Sequence, residues 1–298
     1  MSGPAGSGEG AAGAAPQAEP AVTGGTGEAP RPARGWRGHI QLVLDLGSAA
    51  GKGADPGDEV RRRRGALRRA PARVAVEAAR GGVDSIQVRG KGLSAGELLE
   101  QVLAIKKALR EEGFDVPVLV NERLDVALLA GADGIHLPER SLSPAWAGEC
   151  RTLARRGREQ PEPEPAPARA AGGPGVPEQA GRERAFVVGR SVHSADAASE
   201  PGTEHLDYLI FGHVFATASK PGVPPRGLGA LAEAAAVSPV PVLAIGGIDA
   251  ANAARVIEAG AAGVAVISAV AGAADPYAAA KALRRAVDAA LARRPSAG

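Results

Sequence analysis

The sequence predicts an α/β chain of the (β/α)8, or TIM, barrel class: a single domain with a disordered N-terminal tail and one low-complexity insertion. Three observations predict it. Eight short apolar runs of strand length alternate with eight helix-compatible stretches over roughly 260 residues. Most of the runs are apolar on both faces, as parallel strands covered by helices must be. Polar residues collect just past the C-terminal ends of the runs, where a barrel of this class carries its chemistry.

In chain order the strand runs are Ile40–Leu46, Val83–Val88, Val116–Val120, Gly134–Leu137, Ala185–Val188, Tyr208–Phe211, Val240–Ile245 and Gly263–Ile267. The helical stretches are Pro71–Arg80, Ala95–Glu112, Leu124–Ala130, Pro144–Arg155, Ala195–Ser199, Leu228–Ala236, Ala250–Ala259 and Tyr277–Arg293. Asp249 ahead of the seventh helix and Asp275-Pro276 ahead of the eighth are helix-start signals: a short carboxylate can accept first-turn N–H groups, and proline fits the first helical position. An open doubly wound sheet is the competing arrangement, but the first strand lacks its Gly-x-Gly-x-x-Gly turn.

Two segments fall outside this rhythm. Residues 1–36 are mostly Gly, Ala, Pro, Glu and Thr, too poor in large apolar side chains to offset the entropy of ordering. They read as a disordered tail, leaving the barrel over 37–298. Residues 157–183 have a similar Pro/Gly-rich character and read as a surface insertion. Hydrophobic residues make up 45% of the chain but aromatics only 3%, so the core must be built from Val, Ile, Leu and Ala.

Composition excludes several classes of function. A net charge of +2 gives no global attraction to nucleic acid or membrane. The densest basic run, Arg61-Arg62-Arg63-Arg64 with Arg68-Arg69, lacks the aromatics that stack on bases and reads as a solvated approach to the first helix. The one cysteine, Cys150, cannot form an internal disulfide or a cysteine metal cluster. No apolar run reaches the roughly 18 residues of a membrane helix, and the start of the chain lacks a basic-then-apolar signal pattern. The expectation is a cytoplasmic protein with a small-molecule partner, no nucleic acid and no membrane; a homo-oligomer is left open.

The predicted rim carries the candidate site. His213, in Gly212-His213-Val214-Phe215, places an imidazole just past the sixth strand, and imidazole passes protons near neutral pH. Gln87, Arg89 and Lys91 alternate along the second strand and its exit, offering an amide and two cations to a carboxylate or phosphate. Asn121 can hydrogen-bond a substrate heteroatom, Arg123 reads as a structural ion-pair partner, and Glu122 alone makes a poor Mg²⁺ site. Glycines at Gly246 and Gly247, with Ile267 and Ser268 after the last strand, let a phosphate approach backbone N–H groups. His136 reads as packed inside the barrel, and His193 as a loop or helix-cap residue. His39 and His205 precede strands without an argued role.

Taken together, Gln87-x-Arg89-x-Lys91, Asn121-x-Arg123, the run Gly131 to Leu137, Thr217-x-Ser219-Lys220 and Ala244-Ile245-Gly246-Gly247-Ile248 resemble the thiamine phosphate synthase/TenI superfamily. The resemblance runs from about Gly38 to Arg293, apart from the insertion, and implies the barrel fold. Within the superfamily the chain looks most like the TenI-type thiazole tautomerases. The synthase branch implies an Asn-Asp-Arg motif whose Asp binds Mg²⁺, and here that Asp is Glu122. It also implies a second metal carboxylate, which is Ser141 here. Gly189 to Ser194 and Gly212 to Phe215 look like the tautomerase branch.

From that resemblance the expected function is a cofactor-free isomerase of thiamine biosynthesis, with no metal, aromatising a phosphorylated carboxythiazole-ylidene. His213 is the expected catalytic residue. A small phosphorylated thiazole is the expected partner, its phosphate at Gly246, Gly247, Ile267 and Ser268. Gln87, Arg89, Lys91, Asn121, Ser191, Thr217, Ser219 and Lys220 are its other expected contacts. The first alternative is a synthase-like transferase joining hydroxymethylpyrimidine pyrophosphate to thiazole phosphate, with Mg²⁺ as its cofactor. The second is a non-catalytic protein that binds thiazole phosphate for regulation.

Overall fold

The computed structural model describes residues 35–47, 71–159 and 185–293. The 1–36 tail apart from its last two residues, the arginine run at 61–69 and almost all of the 157–183 insertion lie outside the described residues. Eight parallel strands close a barrel in sequence order: β1 (His39–Asp45), β2 (Ser85–Arg89), β3 (Val118–Asn121), β4 (Gly134–Leu137), β5 (Val187–Val192), β6 (Tyr208–Gly212), β7 (Val242–Ile245) and β8 (Gly263–Val266). β1 pairs with both β2 and β8, which completes the ring.

The helices among the described residues are α1 (Pro71–Arg80), α2 (Ala95–Glu111), α3 (Leu124–Leu129), α4 (Ala147–Glu159), α5 (Ala195–Ala198), α6 (Gly227–Val237), α7 (Ala253–Glu258), α8 (Ser268–Ala271) and α9 (Pro276–Arg293). Local chemistry starts several of them. Ser94 and Glu97 form a reciprocal capping box on α2, Ser194 Oγ accepts from the Ala197 N–H on α5, and Asp275 accepts from the Ala278 N–H on α9. Asp249 acts differently from expectation. Its carboxylate accepts from the N–H groups of Ala251 and Asn252, which holds a turn, and α7 begins only at Ala253.

Strand alternation sorts the core into two layers. Ile40, Leu42, Ile86, Val88, Val120, Ile135, Leu209, Phe211 and Val264 pack outward against helices carrying Val102, Ile105, Leu231, Val256 and Val287. Inward, Val43, Leu119, Tyr208, Ile210, Leu243 and Ala265 fill the barrel, with Trp36 stacked on Tyr208 at a centroid distance of 4.4 Å. Two of the few aromatic residues, Trp36 and Tyr208, thus supply bulk inside the barrel, while Phe186 and Phe211 belong to the outer layer. Cys150 is buried on α4, and burial pushes its thiol up from its ordinary value, so it is inert packing.

β5 departs most from the sequence expectation, running to Val192 instead of ending at Val188. Gly189, Arg190 and Ser191 look like loop residues, yet each has a place in the strand. A Cβ on Gly189 would collide with the Tyr208 ring, so the strand needs glycine beside that tyrosine. Arg190 turns outward, where its guanidinium donates to Glu200 Oε2 and to the Glu139 carbonyl, each at 2.7 Å. Ser191 faces inward. No helix among the described residues is long and apolar enough to cross a membrane.

Candidate active site

The strand ends bring the sequence-predicted residues to one rim, and a hydrogen-bond chain fixes those nearest the barrel interior. Gln87 is buried: its Oε1 accepts from Gln41 Nε2 at 3.0 Å, and its Nε2 donates to Asn121 Oδ1 at 3.0 Å. Gln41 Nε2 also donates to Tyr208 Oη at 3.1 Å. His136 lies beyond, with Nδ1 3.1 Å from Tyr208 Oη and Nε2 2.8 Å from Ser191 Oγ. Burial lowers the His136 pKa to about 3, so the ring is neutral at physiological pH. His39, at the opposite end of the barrel, is also lowered to about 3 by burial and then by Arg284, and its Nε2 lies 2.8 Å from Ser85 Oγ.

These two imidazoles make stability pH-dependent. Both folded-state values lie below the unfolded value near 6.5, so the unfolded chain binds more protons between about pH 6.5 and 3. Their contribution is fully present above pH 6.5 and is lost as pH falls toward 3. The expected result is unfolding free energy that is flat above pH 7 and on the order of 3 kcal/mol lower at pH 5. Urea titrations at the two pH values check this; equal midpoints would contradict the buried neutral rings.

Cations gather at the mouth. Arg89 pairs with the carboxylate of Asp45, its cross-strand partner, which aims the guanidinium across the end of β1. Lys220 lies on the exposed loop after β6 and is held below the usual lysine range, chiefly by burial and next by Arg226, with Arg89 and Lys91 acting in the same sense. Glu139 opposes that shift. Four cationic side chains thus share one electrostatic neighbourhood in which Asp45 and Glu139 only partly offset the positive charge, an arrangement that favours a polyanion. Arg226 was not among the sequence-predicted residues. Its backbone N–H donates to the His213 carbonyl at 3.0 Å and its Nε to the Gly212 carbonyl at 3.1 Å, fixing its base to the end of β6. Its place just after Pro224-Pro225, where a loop is about to enter a helix, was the available signal.

Gly246 and Gly247 have φ of 103° and 64°. A Cβ on Gly246 would stand 2.7 Å from His213 Cα, and one on Gly247 would stand 2.9 Å from Phe215 Cβ. Asn252 Nδ2 donates to the Gly247 carbonyl at 2.8 Å, which braces the turn. Among the described residues no protein acceptor takes the backbone N–H of Gly247 or Ser268, so both remain available to an anion. Thr217 is partly spent within its own loop, where its Oγ1 accepts from the Ser219 N–H at 3.3 Å.

A cavity of about 360 Å³ opens between the loops after β2 and β3, lined in part by Lys91, Asn121 and Glu122. Glu122 is exposed and adopts φ of 67°, unusual for a residue with a side chain. Arg123 is bidentate to Asp125, at 2.9 and 2.5 Å. Of the other nearby carboxylates, Asp45 is paired with Arg89, and Glu139 accepts from the His193 N–H at 3.2 Å. His193 Nδ1 lies 2.8 Å from the Val192 carbonyl, directly before the Ser194 cap. No group of three or more His, Cys, Asp or Glu residues able to hold a metal occurs among the described residues. Glu122 can supply one oxygen ligand to a divalent cation whose other ligands are phosphate oxygens and water, the usual manner in which Mg²⁺ binds with phosphorylated substrates.

His213 sits at the rim but is not presented to it. The residue is only 4% exposed, Nε2 lies 3.2 Å from the Val223 carbonyl, and Nδ1 is buried without a partner. The carbonyl requires the proton on Nε2, so this contact fastens the loop after β6 to the strand.

The matching family model and the similar sequences point to one family. The family profile described as "Thiamine monophosphate synthase" matches residues 61–154 and 177–270. A protein of Methanoculleus marisnigri named thiamine-phosphate synthase is 41% identical over 216 residues, covering 72% of this chain and 87% of that one. One of Anaeromyxobacter dehalogenans with the same name is 41% identical over 215 residues, covering 72% and 82%. The solved thiamine phosphate pyrophosphorylase of Pyrococcus furiosus superposes with a TM-score of 0.60 at 28% identity, covering 85% of this chain and 96% of that one.

These relatives correct the tautomerase expectation. Relatives at about 40% identity carry the synthase name, which favours the transferase alternative over the branch that Glu122, Ser141 and His213 suggested. The buried, carbonyl-bonded ring of His213 agrees with that correction. Isomerase activity is therefore not supported, and the proton transfer expected of His213 loses the reaction it would serve. The chain belongs to the thiamine monophosphate synthase (TMP-TENI) family.

Proposed function

We propose that this protein is a thiamine-phosphate synthase: a transferase joining hydroxymethylpyrimidine pyrophosphate to thiazole phosphate. The observation that carries the reading is the pair of 41% identical relatives bearing that name. The cation cluster supports it, because this reaction expels a pyrophosphate. The bond from the pyrimidine methylene carbon to oxygen breaks, and its electron pair leaves with pyrophosphate. The thiazole nitrogen lone pair forms the new bond to that carbon. No proton moves in this step, so it asks for no free imidazole.

Gly246, Gly247, Ile267 and Ser268 hold the thiazole phosphate through backbone N–H groups. Arg89, Lys91, Lys220 and Arg226 face the pyrophosphate and stabilise charge as it develops on the leaving oxygen. Gln87, Asn121 and Ser191 orient the pyrimidine, while Thr217 and Ser219 shape the loop that carries Lys220. Glu122 would help hold a Mg²⁺ ion brought with the pyrophosphate, and that ion would supply further charge neutralisation. The expected result is pyrophosphate release that requires both substrates and Mg²⁺. An enzyme-coupled pyrophosphate assay checks it, and no release above a protein-free control would overturn the reading.

A further inference from the structure

The hydrogen-bond chain through the barrel has a direction, and Gln41 sets it. Gln41 Nε2 donates both of its hydrogens, one to Gln87 Oε1 and one to Tyr208 Oη, and leaves Gln41 Oε1 buried without a partner. Rotating that amide by 180° would instead bury an NH2 group with two unsatisfied N–H donors. A buried unpaired carbonyl is the less costly of the two defects, so the polarity stands as described.

Everything downstream follows from single-proton accounting. Tyr208 Oη accepts from Gln41, and accepting from His136 as well would leave its own hydrogen buried without an acceptor, so that hydrogen goes to His136 Nδ1. His136 is then protonated on Nε2 and donates to Ser191 Oγ, which frees the serine hydrogen for the site. On the other arm, Gln87 Nε2 donates to Asn121 Oδ1, so the Asn121 NH2 is what remains for the site. Both arms therefore end in donors, at two half-buried residues on the ends of β5 and β3.

We propose that Tyr208 is a positioning residue: through His136 and Gln41 it fixes Ser191 and Asn121 as hydrogen-bond donors, so the site selects an aromatic heterocycle that presents bare ring nitrogens or oxygen acceptors. This rests on the reading of Ser191 and Asn121 as substrate contacts, and it deepens that reading by assigning the sense of the hydrogen bonds. The neutral state of His136 permits the arrangement, since an imidazolium would need Nδ1 to donate.

Long-range proton–nitrogen NMR of the imidazole rings in the full-length, ¹⁵N-labelled protein at pH 7.5 tests the polarity directly. His136 is assigned by the signal lost in His136→Gln. The expected result is a proton on Nε2 and none on Nδ1; the opposite tautomer overturns the proposal. In Tyr208→Phe, the expected results are a His136 signal shifted toward a mixture of tautomers and a KM for hydroxymethylpyrimidine pyrophosphate raised about tenfold, with kcat within about threefold. Affinity for inorganic pyrophosphate should not change. An unchanged KM in folded Tyr208→Phe overturns the positioning role. Should that variant not fold, Gln41→Met cuts the same chain and is expected to raise the same KM, with an unchanged value counting against the proposal. If the wild-type protein releases no pyrophosphate, the synthase reading fails, while the tautomer measurement still decides the polarity.

Discussion

Replacing Lys220 by alanine is expected to lower kcat/KM for pyrophosphate release by about a hundredfold or more without lowering thermal stability. Lys220 sits on an exposed loop, and three of its four charged neighbours, Arg226, Arg89 and Lys91, are cations. In the free protein its ammonium is therefore repelled more than attracted, and removing it relieves like-charge repulsion. In the proposed reaction, charge developing on the departing pyrophosphate would reverse that balance. An ammonium donor aimed at a leaving oxygen acts most strongly where the charge is greatest, so the loss should fall mainly on kcat. Steady-state pyrophosphate release and a thermal melt of the same preparation check both halves. Activity within threefold of wild type would remove Lys220 from the leaving-group site.

Gly246→Ala is expected to cost on the order of 3 kcal/mol of stability and to reduce turnover by at least about a hundredfold. Two effects add. The backbone there has φ of 103°, a region that side chains rarely adopt, and the added methyl would overlap His213 Cβ and stand 2.7 Å from His213 Cα. Neither atom is the flexible end of a side chain. The turn after β7 must shift, carrying the Gly247 N–H away from the proposed phosphate position. Gly229→Ala on α6 is the control. Nothing lies within 4 Å of its would-be Cβ, and alanine should stabilise that helix by about 0.5–1 kcal/mol. Chemical denaturation and kinetics on both variants separate backbone strain from a general intolerance of alanine.

Much of the barrel was legible because its signals are local. Pro71–Arg80 and Gly134–Leu137 coincide with their sequence-predicted bounds, each being an apolar pattern with clear polar punctuation. β5 was less legible because the reason for Gly189 is the Tyr208 ring on the next strand, a contact that no local pattern records. The inward parity of Gln87 and Arg89 could be read from alternation. The same rule applied to Gln41, Val43 and Asp45 would have exposed Gln41 as a polar residue inside the barrel. Tyr208 reads from the local pattern as one more apolar strand residue, although its hydroxyl joins both arms of the chain.

His213 shows where reading by position stops. The sequence places an imidazole at the rim of a barrel, and that placement is correct. Whether a ring at the rim is open to substrate depends on the carbonyl ten residues later, which closes over its Nε2. Glu122 and Ser141 are local differences, and the name shared by relatives at 41% identity outweighs them. A carboxylate one methylene longer than aspartate can still meet a metal that shares its ligands with pyrophosphate.

The central claim, that this chain joins two substrates, is tested most directly by mass spectrometry of a reaction containing hydroxymethylpyrimidine pyrophosphate, thiazole phosphate, Mg²⁺ and the wild-type protein. The account predicts thiamine phosphate, formed mole for mole with pyrophosphate and absent when either substrate is left out. Both substrates recovered unchanged, with no joined product above the protein-free control, would contradict it.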